Sequence, residues 1–204
     1  MPDRQAFEAM VYLLRTGGQW NALPRELGAS STVHDRFQQW ERAGFFQALW
    51  QAGLWAYDGL VGIEWEWQAA DGTMNKAPFG HAATGANPTD RGKLGVKRSL
   101  LTDGDGIPLA LVIEGANRHD MKLLGITLDG IVMVRPPPTA QYPQHLCLDA
   151  GYDYAICREQ GETRHYQLHI RGRGQEQQEK VTTPGFRARR WVVERTHSWK
   201  WACS

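Results

Sequence analysis

The 204 residues carry a formal net charge of +1, with 42% hydrophobic and 22% charged residues, enough apolar material for one substantial core and a small accessory domain. No apolar run approaches the ~20 residues of a membrane span, and the opening MPDRQAFEAM lacks the basic and apolar regions of an export signal, so a cytoplasmic protein with no membrane partner is expected. Cys147, Cys157 and Cys203 follow no disulfide spacing, and the near-neutral charge confines any nucleic-acid contact to local basic clusters, RGKLGVKR at 91–98 and RGRG at 171–174 continuing through FRARR at 186–190.

In chain order, DRQAFEAMVYLLRT (3–16) spaces Phe7, Met10, Val11 and Leu14 at a helical period behind Asp3 as a cap, and Gly17 and Gly18 end it. NALPRELG reads as a short helix stopped by Gly28. SSTVHDRFQQWERAG reads as a second, with Val33, Phe37 and Trp40 on one face and a polar face that includes His34, Arg36 and Gln38. Two helices around a Gly-Ala-Ser turn resemble a helix-turn-helix, whose polar face would meet DNA; a plain helical hairpin is the alternative. A further helix, FFQALWQAGLWAYDGL, closes an all-α region over 1–58.

From residue 61 the period becomes two. In IEWEWQAAD the residues Ile63, Trp65, Trp67 and Ala69 alternate with polar ones, and Asp71 ends this strand on the apolar parity. After a loop over 72–92, KLGVKRSLLT and IPLALVIEG read as strands joined by the hairpin signal DGDG; the calcium-loop reading fails because its other ligand positions are missing. HDMKLLGITLDGI reads as a helix, PPP as a break, QHLCLDAGYD as a short buried strand ending at Asp149, then a helix near 152–160, a strand at YQLHI, a loop, and a final helix over 185–199. This order, three antiparallel strands then helix, strand, helix, strand, helix, predicts an α/β mixed sheet with flanking helices over 61–204.

A sheet centred on its first strand, with the strand after the first crossover helix beside it, brings Asp71 and Asp149 together. On the last helix Ala188, Val192 and Trp199 form the core stripe, while Glu194 shares the other side with Arg187, Arg190 and His197. Carboxylates converging from separate elements are what hard divalent cations require, and flanking cations suit a phosphate backbone. Lys93, Lys97, Arg98, Arg171, Arg173, Arg187 and Arg190 are expected to line the approach to the acids.

These segments resemble the DDE transposases of bacterial insertion sequences, of the insertion-sequence-four and insertion-sequence-five types. VYLLRTGGQWNALPRELGASSTVHDRFQQWERAGFF is similar to the family's N-terminal DNA-binding region, AADGTMNKAP to the block of the first catalytic aspartate, LCLDAGYD to the second block and RWVVERTHSW to the third, with Arg190 four residues before the glutamate. The resemblance implies a ribonuclease-H-like fold and Asp71, Asp149 and Glu194 as catalytic and metal-binding triad. It also implies Mg2+, with Mn2+ as a substitute, two ions about 3.5–4 Å apart activating a water or 3′-hydroxyl and stabilising the leaving oxygen, and double-stranded DNA as partner of a homodimer.

Where the family continues its terminal helix with basic and apolar residues, this chain reads KWACS, and the segment that usually precedes MPDRQ is missing. A shortened copy with weak or absent cleavage, a DNA-binding remnant, is therefore the alternative expectation. A zinc site from His165, His169, Cys147 and Cys157 lacks a close cysteine pair, Asp153 reads as a helix cap, and Trp20, Trp40, Trp50, Trp55, Trp65 and Trp67 read as packing residues.

Overall fold

The computed structural model describes residues 1–77, 83–170 and 191–199. Contacts divide the chain into two units, Met1–Ala56 with the described residues from His197, and Tyr57–Thr196.

In the first unit, α1 (Asp3–Thr16) buries Ala6, Ala9, Met10 and Leu13, one helical stripe, and stops where Gly17 turns left-handed at φ 63°. Asp3 is its first residue rather than its cap; Pro2 holds the cap position without a side-chain hydrogen bond. The expected short helix over NALPRELG is instead two single 3-10 turns, Trp20–Ala22 and Arg25–Leu27. Pro24 opens the second and Gly28, at φ 113°, ends it after one turn, so α2 (Ser30–Arg42) is preceded by a turn and not by the first full helix of a pair. Val33 of α2 joins the α1 stripe and Leu23 in one core, against which Trp20, Leu27, Phe37, Trp40 and Phe46 pack. Aromatic contacts tie α2 to the start of α3 (Phe45–Leu60), with Trp40 and Phe45 centroids 4.7 Å apart and Phe37 and Phe46 5.1 Å apart. Trp55, expected to pack, is 60% exposed: its helix buries only Leu54.

The second unit is a six-stranded sheet. Its strands are β1 (Trp67–Lys76), β2 (Gly85–Ala86), β3 (Leu94–Asp103), β4 (Pro108–Gly115), β5 (His145–Leu148) and β6 (Gln167–Ile170). β1 is central. It pairs antiparallel with β3 and parallel with β5, β3 pairs antiparallel with β4 and with β2, and β5 pairs parallel with β6. The parallel strands need crossovers, which α4 (Asp120–Asp129) and α5 (Ala155–Thr163) supply, and α6 (Trp191–Trp199) follows. A long hairpin extended by parallel strands on the other side of the first is the ribonuclease-H-like order, so the expected fold class is the observed one.

One boundary differs in a way that matters for the site. The strand expected over 63–71 starts at Trp67 and continues through Asp71 to Lys76, because β3 pairs with its second half, from Gly72 opposite Ser99 to Lys76 opposite Gly95. Local propensity hid this: DGTMNK is poor in strand-formers, and a partner from a distant segment holds it extended.

The DGDG turn is built on Asp103. Its carboxylate, fully buried, accepts from the backbone N–H of Asp105 at 3.0 Å, Ile107 at 2.8 Å and Glu64 at 3.2 Å. Burial pushes its pKa up while those three N–H groups hold it down. Asp103→Ala should leave three backbone donors without their acceptor and destabilise the chain by about 1–3 kcal/mol, read as a lowered urea midpoint; a loss under about 0.5 kcal/mol would mean that water replaces the carboxylate. Among the described residues no helix is long and apolar enough to cross a membrane.

Candidate active site

Asp71 and Asp149 are set beside each other by strand register. Trp67 is opposite His145, Gln68 opposite Leu146 and Ala69 opposite Cys147; continued two steps, the same register puts Asp149 opposite Asp71. Asp149 follows the last residue of β5 and caps the 3-10 turn Ala150–Tyr152, its Oδ1 accepting the Gly151 N–H at 2.8 Å. By strand alternation Asp71 shares the face of Ala69, and Asp149 that of Cys147. Ala69 and Cys147 pack with Leu100 and with Val193 of α6, so the acids emerge on the face that α6 covers. Glu194 is the next residue of α6 and is exposed.

Two half-buried carboxylates on adjacent strands present the hard oxygen donors that a divalent cation takes. They fit one edge of such a site, and Glu194 is the third carboxylate its helix could offer. Among the described residues no group of three or more His, Cys, Asp or Glu side chains is gathered to hold a metal ion.

Behind the aspartates lies a polar layer that the sequence reading did not single out. Tyr152, 1% exposed, has its hydroxyl pushed well above its ordinary pKa, first by burial and then by the charges of Asp120, Asp71 and Asp149, so its ring sits within the field of all three acids. Asp120, the first residue of α4, accepts from Lys97 Nζ at 2.9 Å. Both groups lie over Gly72: a Cβ there would fall 2.0 Å from Asp120 Oδ1 and 3.6 Å from the Tyr152 hydroxyl. Glycine beside Asp71 is thus required by close approach. The Asn-Arg-His-Asp run at the start of a predicted helix was the available signal, and it reads locally as capping alone.

The expected DNA-contacting residues fare differently. Lys93 is exposed and Arg98 half-buried on β3. Lys97 is corrected: it is 5% exposed and bound to Asp120, which makes it a support of the acid layer and not a surface cation. Arg171, Arg173, Arg187 and Arg190 lie outside the described residues, as does Ala188. On α2, His34 meets Trp20 edge-on at 4.9 Å, Arg36 pairs with Asp3 at 3.3 Å, and Gln38 accepts from Arg42 at 3.5 Å; each is half-buried. His197, expected on the polar side of α6 with Glu194, is buried. Asp153 pairs with Arg158 at 2.6 Å, and Tyr154 holds the cap position of α5.

The zinc grouping is not assembled either. His165 occupies a turn at φ 59°, and His169 lies against His145 of the neighbouring strand, ring nitrogens 2.9 Å apart, with Trp67 stacked on His145 at 4.2 Å. Cys147 and Cys157 are buried and not joined in a disulfide, and Cys157 donates to Met121 O of α4.

Residues 1–50 match a sequence family described as "Putative transposase of IS4/5 family", and residues 67–200 match the family described as "Transposase DDE domain". Over 123 residues the chain is 37% identical to the "Putative transposase for insertion sequence element IS402" of Burkholderia cepacia, an alignment that covers 59% of this chain and 56% of that protein. It therefore spans little more than half the length of that relative. Among solved structures, the Mos1 transposase paired-end complex with left transposon end is similar at a TM-score of 0.36 and 12% identity, covering 100% of this chain and 79% of that one. The Mos1 mariner paired end complex with Mn is similar at 0.35 and 13%, covering 97% and 76%.

Proposed function

We propose a reading that proceeds from one premise: the chain belongs to the family of transposases with a DDE domain. It acts on double-stranded DNA, cutting phosphodiester bonds at the ends of an insertion sequence and joining the freed ends to a target. The single observation that supports this reading is the register of Trp67, Gln68 and Ala69 with His145, Leu146 and Cys147, which continued two steps brings Asp149 opposite Asp71. Asp71, Asp149 and Glu194 are the catalytic carboxylates and would hold a divalent cation, Mg2+ or Mn2+. When bound, such an ion supplies activation of the attacking hydroxyl and stabilisation of the leaving oxygen.

The protein's own part is to orient and to shield. The paired strands hold two carboxylates at one separation, and Tyr152 and the Lys97–Asp120 pair back them from the other face. Val193, buried against Ala69 and Cys147, holds α6 over the acids' face. Lys93, Arg98, Arg171, Arg173, Arg187 and Arg190 steer the DNA backbone, His34, Arg36 and Gln38 of the N-terminal helical region meet the element end, and the chain works as a homodimer in the cytoplasm.

A second reading has an observation of its own. Glu194 is exposed and no three-carboxylate group is formed among the described residues, which favours a protein that binds DNA without cutting it. Incubating the chain with a supercoiled plasmid carrying the inverted repeats that flank its gene, in Mg2+, in Mn2+ and in EDTA, separates the two. Nicks at the repeats that vanish in EDTA are expected from the first reading. Retained binding with no nicks in either metal is the result that replaces it by the second.

A further inference from the structure

A cleft of about 420 Å3 opens at the junction of β4 and α4, lined by Thr84, Glu114, Asn117, Arg118, His119 and Lys122 together with Ala83 and Gly115. Its size matches one nucleotide unit or a comparable small ligand. Its chemistry is one-sided. Arg118, His119 and Lys122 follow one another around the first turn of α4, all exposed, against a single carboxylate, Glu114, which stands 3.8 Å from Arg118 in a half-exposed pair. Such a pair is weak and readily exchanged for a stronger anion. Lys122 has no ion-pair partner among the described residues. His119 Nδ1 accepts the Met121 N–H at 3.3 Å, so in the neutral ring the proton lies on Nε2, a donor on the other edge of the ring. Asn117 is held by close approach: its Oδ1 lies 2.0 Å from where a Cβ on Gly85 would stand and 2.7 Å from one on Gly115.

The position of this cleft gives the charge a purpose. The residue after His119 is Asp120, whose carboxylate covers Gly72 beside Asp71. His119 also meets Tyr154 edge-on at 5.4 Å, and Tyr154, the cap of α5, follows the 3-10 turn that Asp149 caps. The first turn of α4 thus reaches, from the face of the sheet opposite α6, the residue after Asp71 through Asp120 and the segment after Asp149 through Tyr154. We propose that Thr84, Asn117, Arg118, His119 and Lys122 form a seat for a backbone phosphate of the DNA strand that runs past the Asp71–Asp149 pair. This rests on the reading of the chain as a DNA-processing protein and adds to it a substrate-positioning site outside the carboxylates. Glu114 sets the selectivity: its charge leaves the seat mildly cationic, suited to a monoanionic phosphodiester.

The test uses the full chain and a duplex carrying the repeats that flank its gene. Affinity is measured across salt concentrations for the unaltered chain, for Arg118→Ala with Lys122→Ala, and for the charge-keeping Arg118→Lys with Lys122→Arg. Each phosphate contact contributes about 0.9 to the slope of log affinity against log salt, so the alanine pair should lower the slope by about 1 or more and the charge-keeping pair should nearly restore it. In parallel, the His119 ring signals, assigned by their loss in His119→Gln, should shift when duplex is added to the unaltered chain and stay in place in the alanine pair. An unchanged slope, or a lowered slope with His119 signals that do not move, overturns the seat while DNA binding itself stands. Failure of the unaltered chain to bind the duplex at all would overturn the DNA-processing reading, and the seat with it.

Discussion

Asp71→Asn, and separately Asp149→Asn, should abolish metal-dependent cleavage of an element-end duplex, a loss of at least about 10³-fold, while leaving duplex affinity nearly unchanged. The asparagine side chain keeps the shape of the acid but replaces one anionic oxygen with an NH2 donor, which turns a repulsive group toward any cation there. Both positions are needed for the same reason: each strand contributes one carboxylate, and the register leaves no second acid on either strand face to substitute for it. The sheet should tolerate the change, because Asp71 and Asp149 are only half-buried and their strands are held by backbone pairing. The measurement is cleavage in Mg2+ beside binding at equal salt, with circular dichroism as the folding control. Cleavage that survives Asp71→Asn would remove this aspartate from the mechanism, and loss of binding in step with cleavage would make it a structural residue.

Asp120→Ala should cost about 3 kcal/mol of stability, through the charge that it strands rather than the one that it removes. Lys97 Nζ is bound to Asp120 at 2.9 Å, and the side chains are 7% and 27% exposed. Removing the acid leaves an ammonium inside the sheet with no counter-charge, the costly half of a broken buried pair. Asp120→Ala combined with Lys97→Met should recover most of the loss, since two well-packed neutral groups replace the pair. The double-mutant cycle on urea midpoints measures the coupling. Strict additivity would mean that Lys97 reaches water once released, and that the pair adds little. Because Asp120 also covers Gly72, the single variant should lower cleavage more than the double variant does if charge placement behind Asp71 matters.

Much of this architecture is legible locally. Alternation in the first strand and in KLGVKRSLLT and IPLALVIEG, the DGDG turn and the helical period of HDMKLLGITLDGI are short-range signals, since one buried face imposes them on consecutive residues. The crossover order follows because parallel strands must be joined by intervening helices, and that order alone brings the segment ending in Asp149 next to the one containing Asp71.

Other features were decided by partners that no local window contains. The second half of β1 is extended because β3 pairs with it, against the weak propensity of DGTMNK, and so Asp71 sits within a strand and not at its end. Lys97 read as one more cation in a basic run, yet the fold places it against Asp120 inside the sheet, where a charge persists only beside its opposite. NALPRELG had helical composition, but Pro24 and Gly28 leave room for a single 3-10 turn. The residue types and chain order thus set which acids could meet and on which strands. Whether a given charge faces water, a partner or a future ligand was decided only by tertiary packing, because burial and pairing depend on which distant side chain the fold delivers.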